Sequence, residues 1–585
     1  MLLQLPQQAM NRLTQLLSEC EATTHWPSDL KQWRVCFLPK KKEGAIANLS
    51  EVRPISIGPT VYRLWAAQRR KDVYPFMKQF FDPHQINDVY DAILKLDMDY
   101  PPESFPYGAC LDFKKAFDTV DSQLGISLME HLGVPPKITA LLSLQWATHE
   151  RWVSFGNTVD RTPIKAPLGL PQGDPFSPCA LMLCLLGPLK RQHRLAPRSR
   201  SLLYLDDRTV VAQTLEDLQM AIDTWQDFSR LTRCQTHDGK TQHWARTASS
   251  FVGMEAALWS PKINVEVLGI TVGWTGRLTS ENENNRMHKV CHVARRIAVL
   301  PCSHSFRAAL IALCLSSVGS WGAFMGGHVL TKRMCDSFRT QCRIALKGSC
   351  HGQESVELQQ IFRLGHTSDL LYFGLQKALV ALHKFRCARV SPDLPQGSSV
   401  LSCISTALSR FGGFSVSPGV FQFGHFRWDT GTPFEFSSTY AHNFRTAWRM
   451  FKFDEWKRSD RNDAELARSC DVRLTVQTLD QMRTQAAALD GHCNQVLCGG
   501  IWTEAHAKVI PKQCSLCREH VVPSTSHILW YCSQFEALRQ VAQPRNPFVA
   551  RCAWGSEGIH FELLHQMAAI RCELRKAYTE LGIGC

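Results

Sequence analysis

Two aspartates, Asp206 and Asp207, stand side by side within the apolar run SLLYLDDRTVVA, and a third, Asp112, follows the apolar stretch YGACL. Apolar flanks of this kind read as buried strands meeting at a turn. Unpaired carboxylates there would carry a heavy desolvation cost, so something cationic should compensate them. If the two strands are neighbours, Asp112 and Asp206 face each other across a gap suited to Mg²⁺, which is held by few carboxylates together with substrate phosphates. Successive strand residues point to opposite faces, which makes Asp207 the less direct ligand unless the turn rotates it. Taken alone, an Asp-Asp pair also reads as a solvent-facing turn.

A second constellation lies far down the chain, where Cys514, Cys517, His527 and Cys532 give the spacing C-x2-C-x9-H-x4-C. Soft thiolates and imidazole in this number suit one tetrahedral Zn²⁺. Four protein ligands leave no open position, so the ion would be structural rather than catalytic. With 23 Cys and 22 His in the chain, core cysteines are the alternative reading.

The elements that must position these groups belong to a chain of 585 residues, long enough for several domains. Its 44% hydrophobic and 20% charged residues are those of a folded globular chain rather than a disordered one or a membrane bundle. Lys plus Arg is 66 against 52 for Asp plus Glu, and the net +14 points to a polyanionic partner, nucleic acid first. Half of that surplus falls in residues 31–72, which include Lys40, Lys41 and Lys42 and read as a phosphate-facing surface. The 23 cysteines are odd in number and scattered, as in a reduced compartment. The N-terminus MLLQLPQQAMNRL has no basic n-region and does not read as a secretory signal. Ala308–Leu330 carries no Asp, Glu, Lys or Arg, yet its serines, glycines and His328 make it read as buried helices rather than a membrane span.

Trp33–Leu38 reads as a strand, and residues 122–146 show helical spacing broken at Pro135–Pro136. LPQGDPFSP is a turn leading into the helical run CALMLCLLGPLKRQ, residues 276–390 are chiefly helical, and residues 392–435, rich in Gly, Ser, Pro and Phe, read as containing a boundary. The order is mixed α and β, without an internal repeat.

Five segments, RPISIGPTVYRLW, LDFKKAFDTVD, GLPQGDPFSP, YLDD and VLGI, follow one another in the order of reverse-transcriptase motifs. RPIS followed by DFKKAFD most resembles the non-LTR (LINE-type) retrotransposon enzymes, over about residues 31–275, and FRAALIALCLSSVGSWGAFM is similar to the helical thumb region after that family's palm. The resemblance implies an α+β, right-hand polymerase of fingers, palm and thumb, with a helical C-terminal region and a small CCHC zinc knuckle. It divides the chain into an N-terminal extension (1–30), fingers and palm (31–275), a helical thumb (276–350), a connecting region of unknown role (351–510), the knuckle (511–540) and a C-terminal tail (541–585). HILWYC, from His527 to Cys532, matches a spelling that recurs in the knuckles of LINE-type proteins, whose task is binding RNA or DNA.

The implied activity is RNA-directed DNA synthesis with an RNA template, a DNA primer or target, and dNTPs. Asp112, Asp206 and Asp207 match the ligands of two catalytic Mg²⁺ ions, with the Phe113 carbonyl beside them. Arg53 matches the residue that grips the incoming triphosphate, as its forked guanidinium suits phosphate, with Lys40 the weaker candidate. Phe117 matches the ring that excludes ribonucleotides, and Gln172 with Gly173 matches the loop that supports template and incoming base. Lys240 resembles the acid that protonates pyrophosphate, although Arg233 and His237 replace the usual Gly and Asn upstream. The bland readings of these positions are core for Phe117, a turn for Gln172 and an exposed lysine for Lys240. Arg208, directly after the aspartate pair, is a departure that would compete with metal or contact primer phosphate. No endonuclease-like segment precedes residue 31, and the stretch after Cys532 is short for a ribonuclease H domain, so the chain reads as part of an element. It would work inside the cell, in nucleus and cytoplasm, as a ribonucleoprotein. The rival readings are an intron-maturase-type enzyme and an inactive or domesticated nucleic-acid-binding protein.

Overall fold

The computed structural model describes residues 6–39, 52–81, 83–85, 88–155, 158–165, 168–232, 234–273, 280–325, 330–347, 364–388, 394, 398–432, 437–458, 481, 484–485, 489–497, 501, 503–507, 510–545, 554–555 and 558–583. These fall into two compact units, Met1–Thr275 and Gly276–Cys585.

The first unit opens with α1 (Gln7–Thr23). This segment, expected as an extension, belongs to the unit's own core. Cys20 and Trp26 are buried there, and the nearly buried Glu21 carboxylate accepts from the Trp65 indole (2.8 Å) and pairs with Arg69 and Lys137. A mixed sheet follows, built from β1 (Gln32–Pro39) and β2 (Val52–Ile57). After α2 (Thr60–Met77) and α3 (Val89–Met98) the chain enters β3 (Tyr107–Leu111). The short α4 (Ala116–Thr119), α5 (Ser122–His131) and α6 (Pro136–Thr148) come next. The break between α5 and α6 falls at Pro135–Pro136, where a proline at the first helical position has no amide to satisfy. β4 (Glu150–Phe155) and β5 (Thr158–Val159) complete the mixed sheet in the order β2-β1-β4-β5. β1 is antiparallel to β2, with Leu38 opposite Arg53, and parallel to β4.

α7 (Ser177–Cys184) and α8 (Leu186–Leu195) lead to β6 (Ser199–Tyr204) and β7 (Asp207–Ala212). These two strands form a hairpin beside β3, and β8 (Gln242–Ala245) closes an antiparallel sheet in the order β6-β7-β3-β8. Its buried apolar residues include Ala109, Leu203, Val210 and Ala212, and α9 (Leu215–Leu231), capped by Thr214, packs on the sheet and puts Trp225 into the same core. α10 (Ala248–Ala256), with a Thr247–Ser250 capping box, precedes the hairpin β9 (Asn264–Val267) and β10 (Ile270–Gly273). That hairpin turns at Leu268 and Gly269, both with positive φ (52° and 78°), the handedness a two-residue hairpin turn requires.

The second unit is largely helical at its start, with α11 (Ser280–Ala298), α12 (His304–Leu310), α13 (Ser316–Gly319) and α14 (Lys332–Lys347). The uncharged stretch from Ala308 is a broken helical path rather than one rod, since a π-turn at Ile311–Leu315 separates α12 from α13 and Ser316 donates to the Thr367 carbonyl. No described helix is long and apolar enough to cross a membrane. α15 (Leu370–Cys387) and α16 (Ser399–Ser409) precede a three-stranded meander of β11 (Phe414–Ser417), β12 (Val420–Phe423) and β13 (Phe426–Asp429). Residues 392–435, expected to contain a boundary, therefore lie inside a unit. α17 (Ser437–Lys457), α18 (Asp490–Leu497), the short pair β14 (Trp554–Gly555) and β15 (Gly558–Ile559), and α19 (Phe561–Glu580) complete the chain.

Candidate active site and metal-binding cluster

The register of the second sheet assembles the three aspartates. Leu111 lies opposite Arg208 and Tyr204 opposite Asp207, so Asp112, one residue beyond β3, comes level with Asp207, and Asp206 occupies the two-residue turn of the β6–β7 hairpin. Leu205, the other turn residue, has φ 55°, a conformation that costs a side-chain-bearing residue roughly 1–2 kcal/mol. The carboxylates sense one another. Asp206 is pushed up by burial and by Asp112, while Arg208 and Arg53 oppose the shift. Asp207 is pushed up to about 6 by burial, then by Asp206 and Asp112, against Lys240 and Arg208. Three convergent carboxylates, with the charge of Asp206 and Asp207 disfavoured, fit a hard divalent cation.

The segment before Lys240 docks directly on Asp112. The His237 amide donates to the Asp112 carbonyl (2.8 Å) and the Lys114 amide to the Gln235 carbonyl (2.7 Å). This bridge between Phe113 and Thr236 leaves the Phe113 carbonyl out of the pairing. Lys240 Nζ then reaches Asp112 Oδ2 at 2.5 Å while its side chain stays 61% exposed, so it is neither isolated nor fixed by burial.

Arg208 does neither of the things its sequence position suggests. Alternation along β7 turns it away from the exposed Asp207, and it is 1% exposed. Its guanidinium carbon lies 3.5 Å from the Phe113 ring centroid and 4.8 Å from that of Trp225. None of its nitrogens has a hydrogen-bond partner among the described residues. Burial lowers its pKa to about 9, and Asp112 and Asp206 are the leading groups that support its charge. It is a cation set behind the carboxylates, stacked on aromatic faces.

The remaining candidates of this unit meet through backbone hydrogen bonds. The Ser56 amide, on the strand carrying Arg53, donates to the Gln172 carbonyl (2.7 Å), and the Leu170 amide donates to the Phe117 carbonyl (2.6 Å). Gln172 Nε2 donates to Asp118 Oδ1 (3.1 Å). Gly173 has φ +115°, and a Cβ there would lie 2.5 Å from the Ser56 carbonyl oxygen, so only glycine lets loop and strand approach this closely. Phe117 is half-buried and packs against the main core, keeping its core reading alongside any contact with a ligand. Arg53 is exposed and contributes to the field at Asp206. Lys40, Lys41 and Lys42 lie outside the described residues.

In the second unit the ligand atoms of Cys514, Cys517, His527 and Cys532 all lie within 4.8 Å of one another. Cys517 Sγ and His527 Nε2 are 3.3 Å apart. The Cys514–Cys517 turn closes through Arg518, which has φ 66° and donates its amide to the Cys514 carbonyl (3.0 Å). His527 starts a π-turn whose last step returns the Cys532 amide to the His527 carbonyl (2.7 Å). Burial lowers the His527 pKa and pushes the Cys532 thiol up to about 12, an environment in which a cation would compensate thiolates. The cluster could hold one metal ion. Cys514 and Cys532 share a core with Ile528 and with Leu564 and Met567 of α19, so this is no detached finger. Sequence reasoning missed the groups that frame it. Glu504, in a turn ten residues upstream, accepts from the Ser515 hydroxyl and amide, and Arg539 donates to the carbonyls of Cys532 and Leu529.

The family model described as Reverse transcriptase (RNA-dependent DNA polymerase) matches residues 38–272. Similar solved structures include apo telomerase from Candida tropicalis, at 11% identity and TM-score 0.35, with 69% of this chain and 71% of that chain covered. A Candida tropicalis telomerase truncated from its C-terminal domain has 11% identity and TM-score 0.34 over 44% of this chain and 58% of that one, so the chain spans less than two thirds of its length. The RNA-dependent RNA polymerase of a human picobirnavirus has 12% identity and TM-score 0.35, over 58% and 62% of the two chains. No curated protein matches the chain.

Proposed function

We propose, from the match of residues 38–272 to the reverse transcriptase family model, that the chain is the RNA-directed DNA polymerase of a LINE-type retroelement. The sheet of β6, β7, β3 and β8 would be its palm, the region around β1 and β2 its fingers, and the helices α11 to α14, within residues 276–350, its thumb. The observation that carries this is the register that brings Asp112 level with Asp207 beside the Asp206 turn, within the field of Arg53.

Two Mg²⁺ ions bound by Asp112, Asp206 and Asp207 would supply the charge that activates a primer 3′-hydroxyl and neutralises the departing pyrophosphate. The chain's own groups do the rest. Arg53 grips the triphosphate through its exposed guanidinium. The loop at Gln172 and Gly173 supports template and base, and Phe117 excludes a ribose 2′-hydroxyl. Lys240, which pairs with Asp112, would be the ammonium that protonates pyrophosphate, Asp112 being one of the carboxylates that would hold a divalent ion. The cysteine-histidine cluster would hold one structural Zn²⁺ and present its surface to RNA or target DNA. The working form would be a ribonucleoprotein in nucleus and cytoplasm.

Primer extension on an RNA template with dNTPs and Mg²⁺ is the test. Wild-type protein should extend, while Asp206→Ala should bind template and add no nucleotide, since it loses a ligand and keeps the basic surface. Extension by Asp206→Ala at the wild-type rate refutes the site, and wild-type binding without extension replaces it with a nucleic-acid-binding protein.

A further inference from the structure

Asp174 shares a loop with Gln172 and Gly173, yet its side chain runs into the protein and is 3% exposed. Oδ2 accepts from the Tyr62 phenol (2.5 Å) and the Trp146 indole (3.1 Å), and Oδ1 accepts from the Phe176 amide (2.7 Å). No cation pairs with it among the described residues. A buried carboxylate in that position is tolerable only when its lone pairs are filled by well-aimed donors, and each donor fixes one direction. The donors come from three different elements: α2, α6 and the entry to α7.

Tyr62 is wholly buried and sits two residues into α2, which Gly58 and Pro59 join to the strand bearing Arg53. Its ring is wedged against Trp26 and Trp33, with centroids 5.5 and 5.2 Å away, so the phenol cannot swing aside without disturbing the core. The contact between Gln172 and Ser56 is thus held from both sides. One side is the backbone hydrogen bond itself, and the other is a carboxylate that locks the loop to the helix continuing from that strand. Moving Asp174 would move the nucleotide-facing loop relative to Arg53 without touching the aspartates of the sheet.

We infer that Asp174 is a positioning residue which, through Tyr62 and Trp146, holds the Gln172–Gly173 loop in register with the Arg53 strand and so sets how tightly an incoming deoxynucleoside triphosphate is gripped. This rests on the polymerase reading of the same loop. Tyr62→Phe and Trp146→Phe, made in the full chain, each keep most of the aromatic packing and remove one donor. In both, amide hydrogen exchange should accelerate about tenfold in peptides covering residues 52–57 and 170–177, the loss expected from one hydrogen bond to a charged acceptor, with residues 199–212 unchanged. Exchange that is unaltered at those peptides, or raised equally throughout the unit, overturns the brace whether or not the protein extends primers. In an extending wild-type background, the variants should raise the dNTP KM about tenfold with kcat and template affinity little changed. A fall in thermal stability with unchanged KM would mean that the network serves stability alone. A wild-type protein that adds no nucleotide refutes the polymerase reading instead and leaves the exchange comparison to decide the brace.

Discussion

Replacing Asp207 by Asn should stabilise the metal-free protein, and the gain should vanish in acid. The Asp207 carboxyl is raised from 3.8 to about 6, first by burial and then by Asp206 and Asp112. At about 1.36 kcal/mol per pKa unit, a fully buried group with that shift would cost roughly 3 kcal/mol in its ionised form. The Asp207 side chain is exposed on its outer side, and solvent screening brings the expected penalty to about 1 kcal/mol. The sign follows from linkage. Where the folded pKa exceeds the unfolded one, the folded state binds more protons between the two values, so stability falls as pH rises from near 4 to near 6 and stays at its lower level above. Asp207→Asn removes the charge, so its midpoint of thermal unfolding at pH 7.5 should exceed that of wild type by roughly 2–4 °C, and the two should coincide at pH 4. Mg²⁺ at pH 7.5 should raise the wild-type midpoint by relieving the same repulsion, and should raise that of the variant less. Tryptophan fluorescence can follow the transition, because Trp225 and Trp244 are buried beside this sheet. A variant less stable than wild type at pH 7.5, or equally shifted at both pH values, would refute the claim that the three carboxylates repel one another in the free protein.

Two further outcomes follow from the geometry. Phe117→Ala should admit ribonucleotides by opening space beside the sugar, read as a lowered ratio of dNTP to rNTP incorporation; unchanged selectivity in a folded variant would return Phe117 to the core it packs against. Cys517→Ser should lower bound zinc and weaken binding to structured RNA or target DNA. Because Cys514 and Cys532 lie in one core with α19, it should also lower the unfolding midpoint of the second unit by on the order of 5–10 °C, while extension on a simple template survives. Absence of zinc from purified wild-type protein would overturn that assignment.

The strands of the site were legible because their chemistry is local. Apolar runs on both sides of Asp112 and of Asp206–Asp207 announce buried strands, and the short link between SLLY and DRTVVA announces a hairpin. Strand alternation begins one residue later than the letters suggest. It separates Asp206 from Asp207 only if both are strand residues, but Asp206 lies in the turn with Leu205, and the alternation that matters begins at Asp207. It therefore divides Asp207 from Arg208, sending the carboxylate outward and the guanidinium into the core. No local rule foretells a buried arginine there, since what makes its burial tolerable is Phe113 from beyond β3 and Trp225 from α9.

Distance in sequence explains the other omissions. The loop GLPQGDPFSP reads correctly as a turn, and Gly173 as a place of close approach, because a glycine's freedom is a property of one residue. The work of Asp174 is invisible in the same ten letters, because its donors lie 112 and 28 residues away. The cysteine-histidine spacing is likewise legible as a ligand set, whereas its embedding depends on Glu504, on Arg539 and on a helix starting at Phe561, none of which carries a spacing signal. The meander of β11 to β13 was hidden for a different reason. Its glycines and serines read as a domain boundary, and four-residue strands are too short for alternation to register, so only packing against α16 and α17 makes them a sheet. Residues proposed to act on a ligand are thus announced by their type and spacing, and residues that hold them in place are announced only by the fold.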